Sequence, residues 1–579
     1  YNFVHPELTP MAQVKPEMTQ GLEPYYNTTE RMKKAGINSR VIRTIIAGLM
    51  PDLAMGVPDT IGADVLQHYH LPGLTEALQN IHFPKDTPAM QRAKERLKFE
   101  ELFYIQLQIL RQMKRREQNA GFPMPIVGRN FNAMYQGLPF PLTNAQKRVI
   151  REIHTDLKSG KQMNRLLQGD VGSGKTLVAL MCCLLAIDNG YQTCIMAPTE
   201  ILANQHYETL NGFLKPLLAS EDNPNGLRIA LLTGSTTKKQ RDLLHPALQT
   251  GRIDILIGTH ALLEDTVQWS NLGLVVVDEQ HRFGVVQRAK LWSKNVRPPH
   301  VLVMTATPIP RTLAMTVYGD LRVSIIDELP PGRKPVQTLH YSIQRRQSVN
   351  QFIRGQIQAG RQVYVVFPLI KENEKLDLQD LENGYNELCD TFPEYKISMV
   401  HGQMKAKDKD EQMQRNASGE TQILVATTVI EVGVNVPNAS VMIIENAERF
   451  GLSQLHQLRG RVGRGADQSY CILLTRLELT KETRQRMDIM VATNDGFRIA
   501  EADLQLRGPG DLEGTQQSGL PFDLHIASLS TDGQILEIAR QAAESILEKD
   551  PLLEDEYNRI YKRQLDLLRI EAHNWSEIS

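Results

Sequence analysis

Residues 169–176 of this 579-residue chain read Gly-Asp-Val-Gly-Ser-Gly-Lys-Thr, which fits the phosphate-binding pattern G-x-x-x-x-G-K-[ST]. Glycines let such a loop curl its backbone N–H groups around phosphate oxygens, and the helix that follows directs its positive end at them. A strand-like run, Arg165–Gln168, precedes the loop, and an apolar run typical of a buried helix, Leu177–Ile187, follows it. This order of strand, loop and helix favours a nucleotide site over a chance match to a short motif.

A second run, Leu274–His281, is an apolar strand that ends in two carboxylates. We expect Asp278 to bind magnesium together with the hydroxyl of Thr176, and Glu279 to orient or deprotonate the attacking water. Lys175 would place a point charge on the β- and γ-phosphates. The loop residues predicted to bind ATP are Gly169, Gly172, Ser173, Gly174, Lys175 and Thr176. Together the two runs predict magnesium-dependent ATP hydrolysis.

Composition bounds the class of protein. The chain is too long for one hydrophobic core, and its length suggests about three or four domains. Its 41% hydrophobic and 23% charged residues are typical of a soluble protein, and no apolar run is long enough for a membrane span. The five cysteines lack metal-binding spacing and indicate reduced thiols in the cytoplasm. A net charge of −1 means that any nucleic-acid binding must come from local surfaces.

The chain changes character along its length. Residues 25–120 contain helical patterns broken by prolines such as Pro51. The longest pattern, about 88–118, has a basic face that includes Arg96; we expect this face to be solvated, and the alternative is contact with phosphates. Gly121–Pro141 is rich in Pro, Gly and Asn and is predicted to be a linker. Tyr1–Pro10 lacks the features of a signal peptide and an initiator Met, which suggests a fragment.

From residue 142 onward, short apolar strands alternate with helices in two series, which predicts parallel sheets with helices on both faces. The first series is Thr193–Ala197, Ile229–Leu232, Ile253–Ile257, Leu274–Val277 and Val301–Met304. A break at Pro330-Pro331-Gly332 separates it from the second, which is Val363–Phe367, Ile397–Val400, Ile423–Ala426, Val441–Ile444 and Tyr470–Leu474. Because only the first series has a phosphate-binding loop, the pattern fits a motor with ATP in the cleft between two α/β domains.

The second series supplies candidate groups for the far side of that cleft. The run 454–465 contains Gln457, Arg461 and Arg464, and the two arginines, three residues apart, lie on one helical face. A guanidinium can stabilise charge on a transferring γ-phosphoryl group, so we predict that these three residues are catalytic. The alternatives are a basic surface helix and an arginine cluster that binds a phosphate backbone.

These runs stand in the order found in the superfamily 2 helicases, which the chain resembles over roughly 142–475. The matching segments are Phe140–Gln146, Ala197–Ala203 (motif Ia), Gly258–Leu262 (motif Ib), Thr305–Thr307 (motif III) and Val425–Val434 (motif V). The resemblance implies that Gln146 reads adenine and that Thr305 and Thr307 couple hydrolysis to movement. It also implies that one nucleic-acid strand contacts Thr199, Thr259, His260 and Thr428. The alternative role of such hydroxyl residues is to cap strand and helix ends.

The acidic motif is Asp-Glu-Gln-His rather than Asp-Glu-Ala-Asp, which argues against the standard RNA-unwinding subgroup. Its extension from His281, together with Phe497–Gly519, resembles the RecG and Mfd families of bacterial DNA translocases. By this resemblance, Thr480–Ala492 and Phe497–Leu506 form a helical hairpin, and His281 and Arg507 act in coupling. The segments Val4–Glu7, Pro24–Glu30 and Leu71–Pro84 favour RecG, whose OB-fold wedge would end near residue 24.

The predicted fold class is α/β, with two tandem RecA-like parallel-sheet helicase domains, an N-terminal helical connector and a C-terminal helical hairpin plus loop. The predicted domains are 1–24 (end of a truncated wedge), 25–141 (connector), 142–335 and 336–475 (helicase domains 1 and 2) and 476–579 (hairpin, loop and tail). The predicted function is ATP-dependent translocation on branched double-stranded DNA at replication forks and Holliday junctions, with single-stranded-DNA-binding protein as a further partner. The alternatives are an Mfd-type translocase that acts on RNA polymerase and a non-catalytic nucleic-acid scaffold with a relic nucleotide site.

Overall fold

The computed structural model describes residues 22, 24–117, 120–220, 223–279, 297–305, 308–310, 313–314, 316, 321–330, 334–368, 374–427, 438–463, 467–507 and 524–576. The chain divides into two compact units: one takes in both ends, up to residue 114 and from residue 520, and the other spans 115–519. Several predictions concern residues outside the described ranges, namely His281, Thr307, Thr428, Arg464, the wedge end before residue 22 and the loop that follows Arg507.

The elements are numbered along the chain. The helices are α1 Glu30–Lys34, α2 Ser39–Ala54, α3 Ala63–His68, α4 Leu74–His82, α5 Thr87–Glu117, α6 Arg129–Gly137, α7 Asn144–Lys158, α8 Lys175–Asp188, α9 Glu200–Leu214, α10 Lys238–Gln249, α11 Arg346–Gln358, α12 Glu374–Thr391, α13 Ala406–Ala417, α14 Leu452–Arg459, α15 Lys481–Ala492, α16 Gly496–Arg507, α17 Gly533–Lys549 and α18 Arg559–Ser576. The strands are β1 Asn164–Gly169, β2 Gln192–Met196, β3 Ile229–Leu232, β4 Ile255–Gly258, β5 Leu272–Asp278, β6 His300–Thr305, β7 Arg322–Ile326, β8 Gln337–Ser342, β9 Gln362–Val366, β10 Ile397–Val400, β11 Ile423–Ala426, β12 Ala439–Ile444 and β13 Tyr470–Thr475.

The helical unit joins two segments that are far apart in the sequence. The hydroxyl of Tyr561 on α18 accepts a hydrogen bond from the Gly62 N–H at 3.1 Å. The Glu101 carboxylate on α5 accepts three backbone N–H bonds from 525–527, at 2.5 to 3.2 Å. Lys98, also on α5, forms a 2.7 Å ion pair with Asp532. Helix α5 therefore serves as the spine on which the C-terminal helices pack.

Two predictions for the N-terminal helices are wrong. Arg96, placed on a solvated basic face, is fully buried and pairs with Asp59 at 2.8 Å and with Glu100 at 2.6 Å. A guanidinium can be buried here because two carboxylates neutralise it. Pro51, predicted to interrupt a helix, lies inside α2. The helix continues for three residues beyond it, and the proline removes one hydrogen bond of the ladder, the one to the carbonyl four residues earlier.

The first α/β domain is built on a seven-stranded sheet of order β3-β4-β2-β5-β6-β1-β7. Every pairing in it is parallel, as the apolar runs predicted. Helix α8 is buried almost all round, because it packs between this sheet and its neighbouring helices. The carboxyl ends of the parallel strands meet at one edge, which is where ligands bind in open α/β sheets.

The predicted linker Gly121–Pro141 is instead part of the first domain. It contains α6, and Met124 and Met134 are buried in the same core as α8. The Asp188 carboxylate accepts hydrogen bonds from the N–H groups of Asn130 and Phe131, at 3.1 and 3.0 Å, and so satisfies the first turn of α6. The linker prediction is wrong because composition alone does not reveal such tertiary capping.

The second α/β domain has a six-stranded parallel sheet of order β10-β11-β9-β12-β13-β8. A separate apolar core lies on each face of this sheet. Helices α15 and α16 form the predicted hairpin, and residues of both, Met487, Met490 and Ile499 among them, are buried in one of these cores. The prediction of tandem parallel-sheet domains with a helical hairpin is confirmed.

Candidate nucleotide site and hairpin mount

The phosphate-binding loop follows β1 and leads into α8. Gly172 and Gly174 have φ of +80° and +85°, a left-handed conformation that favours glycine. A Cβ atom at Gly174 would lie 2.3 Å from the side-chain nitrogen of Gln146, and one at Gly169 would lie 2.6 Å from Ser173 Oγ. The Ser173 hydroxyl is buried and has no hydrogen-bond partner among the described residues. Tight glycine turns with an unsatisfied hydroxyl suit a phosphate cradle.

The acidic residues and the loop lysine share one electrostatic site. Burial lowers the pKa of Lys175, and the charges of Glu279 and Asp278 oppose that shift. The Lys175 Nζ atom donates to the carbonyl oxygens of Gly169 and Asp170 at 2.7 and 2.9 Å. The predicted phosphate-binding lysine and the predicted acidic pair are therefore brought together at the carboxyl edge of the sheet.

Glu279 itself stands on a strained backbone, because it has a φ of +52° although it is not glycine. Its backbone N–H donates a hydrogen bond to Asp278 Oδ1 at 3.1 Å. Non-glycine residues in this conformation are uncommon and cluster at functional sites. The conformation turns the chain sharply at the end of β5, directly after the predicted magnesium ligand.

His206 was not singled out from the sequence, but it lies against the predicted magnesium ligand. Its Nε2 atom is 2.8 Å from Asp278 Oδ2, and both side chains are largely buried. Burial opposes ionisation of Asp278, but the hydrogen bond and charge of His206, followed by the charge of Lys175, outweigh it and hold the pKa of Asp278 below its usual value. The carboxylate is therefore ionised and held in one orientation, as a metal ligand should be.

Gln146, predicted to read adenine, is 2% exposed and has both side-chain groups engaged. Its Oε1 accepts from the Thr143 N–H at 3.0 Å in a capping box at the start of α7. Its Nε2 donates to the Ser173 carbonyl at 2.9 Å. The side chain thus ties the N-terminus of α7 to the phosphate-binding loop, and its role toward adenine stays a prediction.

Helix α14 of the second domain lies against this loop. The positive charge of Arg461, just beyond its end, contributes to lowering the pKa of Lys175. A Cβ atom at Gly460 would lie 2.8 Å from the Val171 side chain, so the two segments approach closely. Arg461 therefore lies within electrostatic range of Lys175, and the catalytic roles of Arg461 and Gln457 stay predictions.

A histidine on α14 makes a hydrogen bond between the two α/β domains. His456 Nε2 lies 2.7 Å from Asp170 Oδ1 in the phosphate-binding loop. His456 Nδ1 lies 2.8 Å from Arg459 Nη2. Neither His456 nor Asp170 was singled out from the sequence. The residues are 286 positions apart, so a single sequence carries no signal for this pair.

The α15–α16 hairpin is hydrogen-bonded directly to α14 and to the turn before it. Arg459 Nη1 donates to the carbonyls of Met490 and Thr493 at 3.0 and 2.8 Å, at the end of α15. Ser453 Oγ donates to Asp503 on α16 at 2.9 Å. Arg486 of α15 adds bonds to the Phe450 and Glu448 carbonyls at 2.6 and 3.2 Å. Helix α14 is thus continuous with the segment that contains Arg461 and also contacts the hairpin.

The predicted nucleic-acid contacts on the first domain fall at the carboxyl ends of neighbouring strands. Thr199 follows β2 and caps α9, accepting from the Leu202 N–H at 3.4 Å. Thr259 follows β4, is buried, and its hydroxyl has no partner among the described residues. His260, next to it, is exposed. Thr305, which was predicted to couple hydrolysis to movement, is buried at the end of β6. Capping, the alternative role, is thus observed for Thr199.

Family models match three parts of this chain, and curated relatives match most of its length. The model of the C-terminal part of domain 3 of the ATP-dependent DNA helicase RecG matches residues 493–579. The DEAD/DEAH box helicase model matches 143–316, and the helicase conserved C-terminal domain matches 344–466. The RecG protein of Bacillus subtilis is 45% identical over 92% of this chain and 76% of its own length. This chain belongs to the RecG family. The resemblance predicted from its motifs is confirmed.

Two further similarities support the RecG assignment. RecG from Synechocystis is 48% identical over 92% of this chain. A solved structure described as "Structure of RecG bound to three-way DNA junction" is 41% identical, covers 87% of this chain and has a TM-score of 0.67. This chain spans 62% of the length of the Synechocystis relative and 65% of that solved RecG chain. Among the described residues, no helix is long and apolar enough to cross a membrane.

Proposed function

We propose that this chain is an ATP-dependent motor that translocates on double-stranded DNA and remodels replication forks and Holliday junctions. The observation that carries the proposal is the shared position of α14, which contacts the phosphate-binding loop through His456 and holds the hairpin through Arg459. A motor needs such a connection, because hydrolysis at one site must move DNA at another. The RecG relatives support DNA as the track, and the solved RecG complex with a three-way junction supports a branched substrate.

The proposed chemistry follows from the residues at the carboxyl edge of the first sheet. The loop glycines and Lys175 bind the phosphates, and Glu279 orients the attacking water. Arg461, with Gln457 and Arg464, stabilises charge on the γ-phosphoryl group from the second domain. These roles rest on the sequence motifs, and the charge of Arg461 acting on Lys175 supports them.

The residues also fit a magnesium ion, which we propose as the cofactor. The Thr176 hydroxyl and the ionised Asp278 carboxylate would hold it, and the ion would neutralise charge that develops on the phosphates. Among the described residues, no cluster of three His, Cys, Asp or Glu side chains could hold a metal by itself. That is expected for magnesium, which usually combines one or two protein ligands with substrate phosphates and water.

For the DNA contacts, we propose that Thr199, Thr259 and His260 face one strand along the carboxyl edge of the first domain, with Thr428 continuing the contact. Thr305, Thr307, His281 and Arg507 would couple hydrolysis to movement. Phosphate contacts of this kind position a motor without reading sequence. Single-stranded-DNA-binding protein is proposed as a further partner at forks, and the cytoplasm as the place of action.

The test is a DNA-dependent ATPase assay that compares a fork, a linear duplex and a single strand at one salt concentration, since phosphate contacts are salt-dependent. We expect duplex-containing DNA to stimulate hydrolysis and the fork to stimulate it at least as well as the linear duplex. A scaffold with a relic nucleotide site would hydrolyse no ATP with any of the three. Equal loss of activity in Lys175→Ala with every DNA would confirm that the hydrolysis belongs to this site.

A further inference from the structure

The segment that leaves β7 contacts the first turn of α7. Strand β7 belongs to the first sheet and β8 to the second, and residues 327–336 separate the two strands in the sequence. In this segment the Glu328 carboxylate accepts a hydrogen bond from the Ala145 N–H at 3.1 Å. Its neighbour Asp327 forms a 2.9 Å ion pair with Arg148, one turn further along α7. The start of α7 is therefore held by residues that lie outside the helix.

The bond to Glu328 completes the N-terminus of α7. Ala145 is fully buried, so its N–H has the Glu328 carboxylate as acceptor in place of water. The first turn of α7 contains no acidic residue, and Glu328 supplies the negative charge that stabilises the positive end of a helix. The next N–H along, that of Gln146, is satisfied within the helix cap by the Thr143 hydroxyl at 3.1 Å. Loss of the Glu328 side chain would take away an acceptor that the cap does not replace.

The same turn of α7 contacts the phosphate-binding loop. Gln146 Nε2 donates to the Ser173 carbonyl at 2.9 Å, and a Cβ atom at Gly174 would lie 2.3 Å from that nitrogen. At the start of the loop, Gly169 pairs with Ile326 across the β1–β7 ladder, and a Cβ atom at Gly169 would lie 3.2 Å from Ile326 Cβ. The turn, the loop and the end of β7 thus pack against one another around the candidate nucleotide site.

We propose that Glu328 is a positioning residue for ATP binding and that it acts through the first turn of α7. It holds that turn so that Gln146 keeps its contact with the phosphate-binding loop before ATP arrives. A site that is already fixed in its bound conformation binds more tightly, because less ordering remains to be done on binding. The inference deepens the proposed function and rests on it where ATP is the nucleotide.

The first experiment measures binding of a non-hydrolysable ATP analogue with magnesium by isothermal titration calorimetry. We expect Glu328→Ala to raise the Kd of the analogue about fivefold, which is the effect of losing one helix cap of ordinary strength. Glu328→Gln keeps an acceptor oxygen for the Ala145 N–H and should recover most of the affinity. Wild-type affinity in Glu328→Ala, or no recovery in Glu328→Gln, would overturn the proposal.

A double-mutant cycle tests the route by which Glu328 acts. If Glu328 acts through Gln146, the Gln146→Ala change already removes its effect. The double variant should then bind the analogue no more weakly than Gln146→Ala alone, because the two changes are coupled. Losses of affinity that simply add would overturn the route, and so would wild-type affinity in Gln146→Ala.

Steady-state hydrolysis distinguishes positioning from a merely structural role. We expect Glu328→Ala to raise the KM for ATP about fivefold and to change kcat by less than about twofold, because the bond acts on binding and not on the transition state. Damage to the fold would instead lower the active fraction, and with it kcat, at an unchanged KM. That pattern would overturn the proposal.

Asp327→Ala is the matched control. It removes the ion pair with Arg148, in which both side chains are about half exposed, and leaves the bond between Glu328 and Ala145 in place. Exposed pairs contribute little, so we expect the Kd of the analogue to stay within about twofold of the wild type. A loss as large as that in Glu328→Ala would overturn the specific role of Glu328. If the wild-type chain hydrolyses no ATP with DNA, the proposed function fails, while binding of the analogue still decides the role of Glu328.

Discussion

His206 Nε2 lies 2.8 Å from Oδ2 of Asp278, although the two residues are 72 positions apart. Asp278 ends β5, and His206 projects from α9, the helix that begins within motif Ia. The contact therefore links the predicted magnesium ligand to the same helix whose N-cap, Thr199, is a predicted DNA contact. A histidine of this kind holds a ligating carboxylate in its productive orientation.

Replacing His206 should weaken metal binding more than nucleotide binding. We expect His206→Ala to raise the magnesium concentration needed for half-maximal ATP hydrolysis by about tenfold, since loss of an outer-shell partner typically costs 10–100-fold in metal affinity. Manganese binding in the presence of an ATP analogue, followed by electron paramagnetic resonance, gives a readout apart from activity. Asn204→Ala, on the exposed face of α9, is the control and should behave as the wild type. An unchanged metal requirement in His206→Ala would contradict this role.

Variants of Lys175 and Glu279 should distinguish ATP binding from ATP hydrolysis. We expect Lys175→Ala to abolish ATP turnover, because the charge that holds the β- and γ-phosphates is lost. Glu279→Gln should still bind ATP but hydrolyse it poorly, because the amide no longer assists the attacking water. Binding of a fluorescent ATP analogue and steady-state hydrolysis are measured on the same preparations. Wild-type turnover in Glu279→Gln would rule out the role assigned to that carboxylate.

Arg461 should act on the transition state rather than on ATP binding. We expect Arg461→Ala to lower kcat by on the order of 10³-fold, with a smaller change in ATP affinity, because an arginine from the second domain stabilises charge that develops during transfer. Arg461→Lys keeps the charge but loses the planar fork, and it should recover only part of the rate. Arg449, an exposed residue in the turn before α14, offers an alanine control. A variant with reduced DNA affinity and normal basal hydrolysis would make Arg461 a DNA contact instead.

The buried ion pairs of the helical unit give a prediction of stability. Removing Arg96 leaves the half-buried carboxylates of Asp59 and Glu100 without their cation. We expect Arg96→Met to lower the free energy of opening of α5 by about 3–5 kcal/mol, measured by native-state hydrogen exchange. Arg92→Met, at an exposed position of the same helix, should change it by less than about 0.5 kcal/mol. Equal effects of the two changes would contradict the importance of the pair.

The sequence predicted the strands with mainly apolar runs well and missed two strands of mixed polarity. Strands β3, β10 and β11 begin and end where the apolar runs do, although β3 and β10 lie at sheet edges. Helices cover both faces of a parallel sheet, which favours runs of mainly apolar residues. Strands β7 and β8 were not predicted. Each lies at an edge of its sheet and mixes polar with apolar residues, as Arg322 and Ser324 do in β7. No continuous apolar run marks such a strand.

The site was predictable where its chemistry is local. The phosphate-binding loop is a contiguous motif, so its glycines and Lys175 could be named before the structure. Contacts such as His456–Asp170 and Arg96–Asp59 join distant parts of the chain and depend on packing that no local pattern encodes. The packing of the C-terminal helices on α5 is unpredictable for the same reason.

The most direct measurement of the proposed function is ATP-dependent displacement of the third strand from a triplex DNA, which reports movement along a duplex without strand separation. The proposed function predicts displacement by the wild-type chain with ATP and magnesium, and none with a non-hydrolysable analogue or in Lys175→Ala. ATP hydrolysis that is stimulated by duplex DNA but displaces no third strand would contradict translocation.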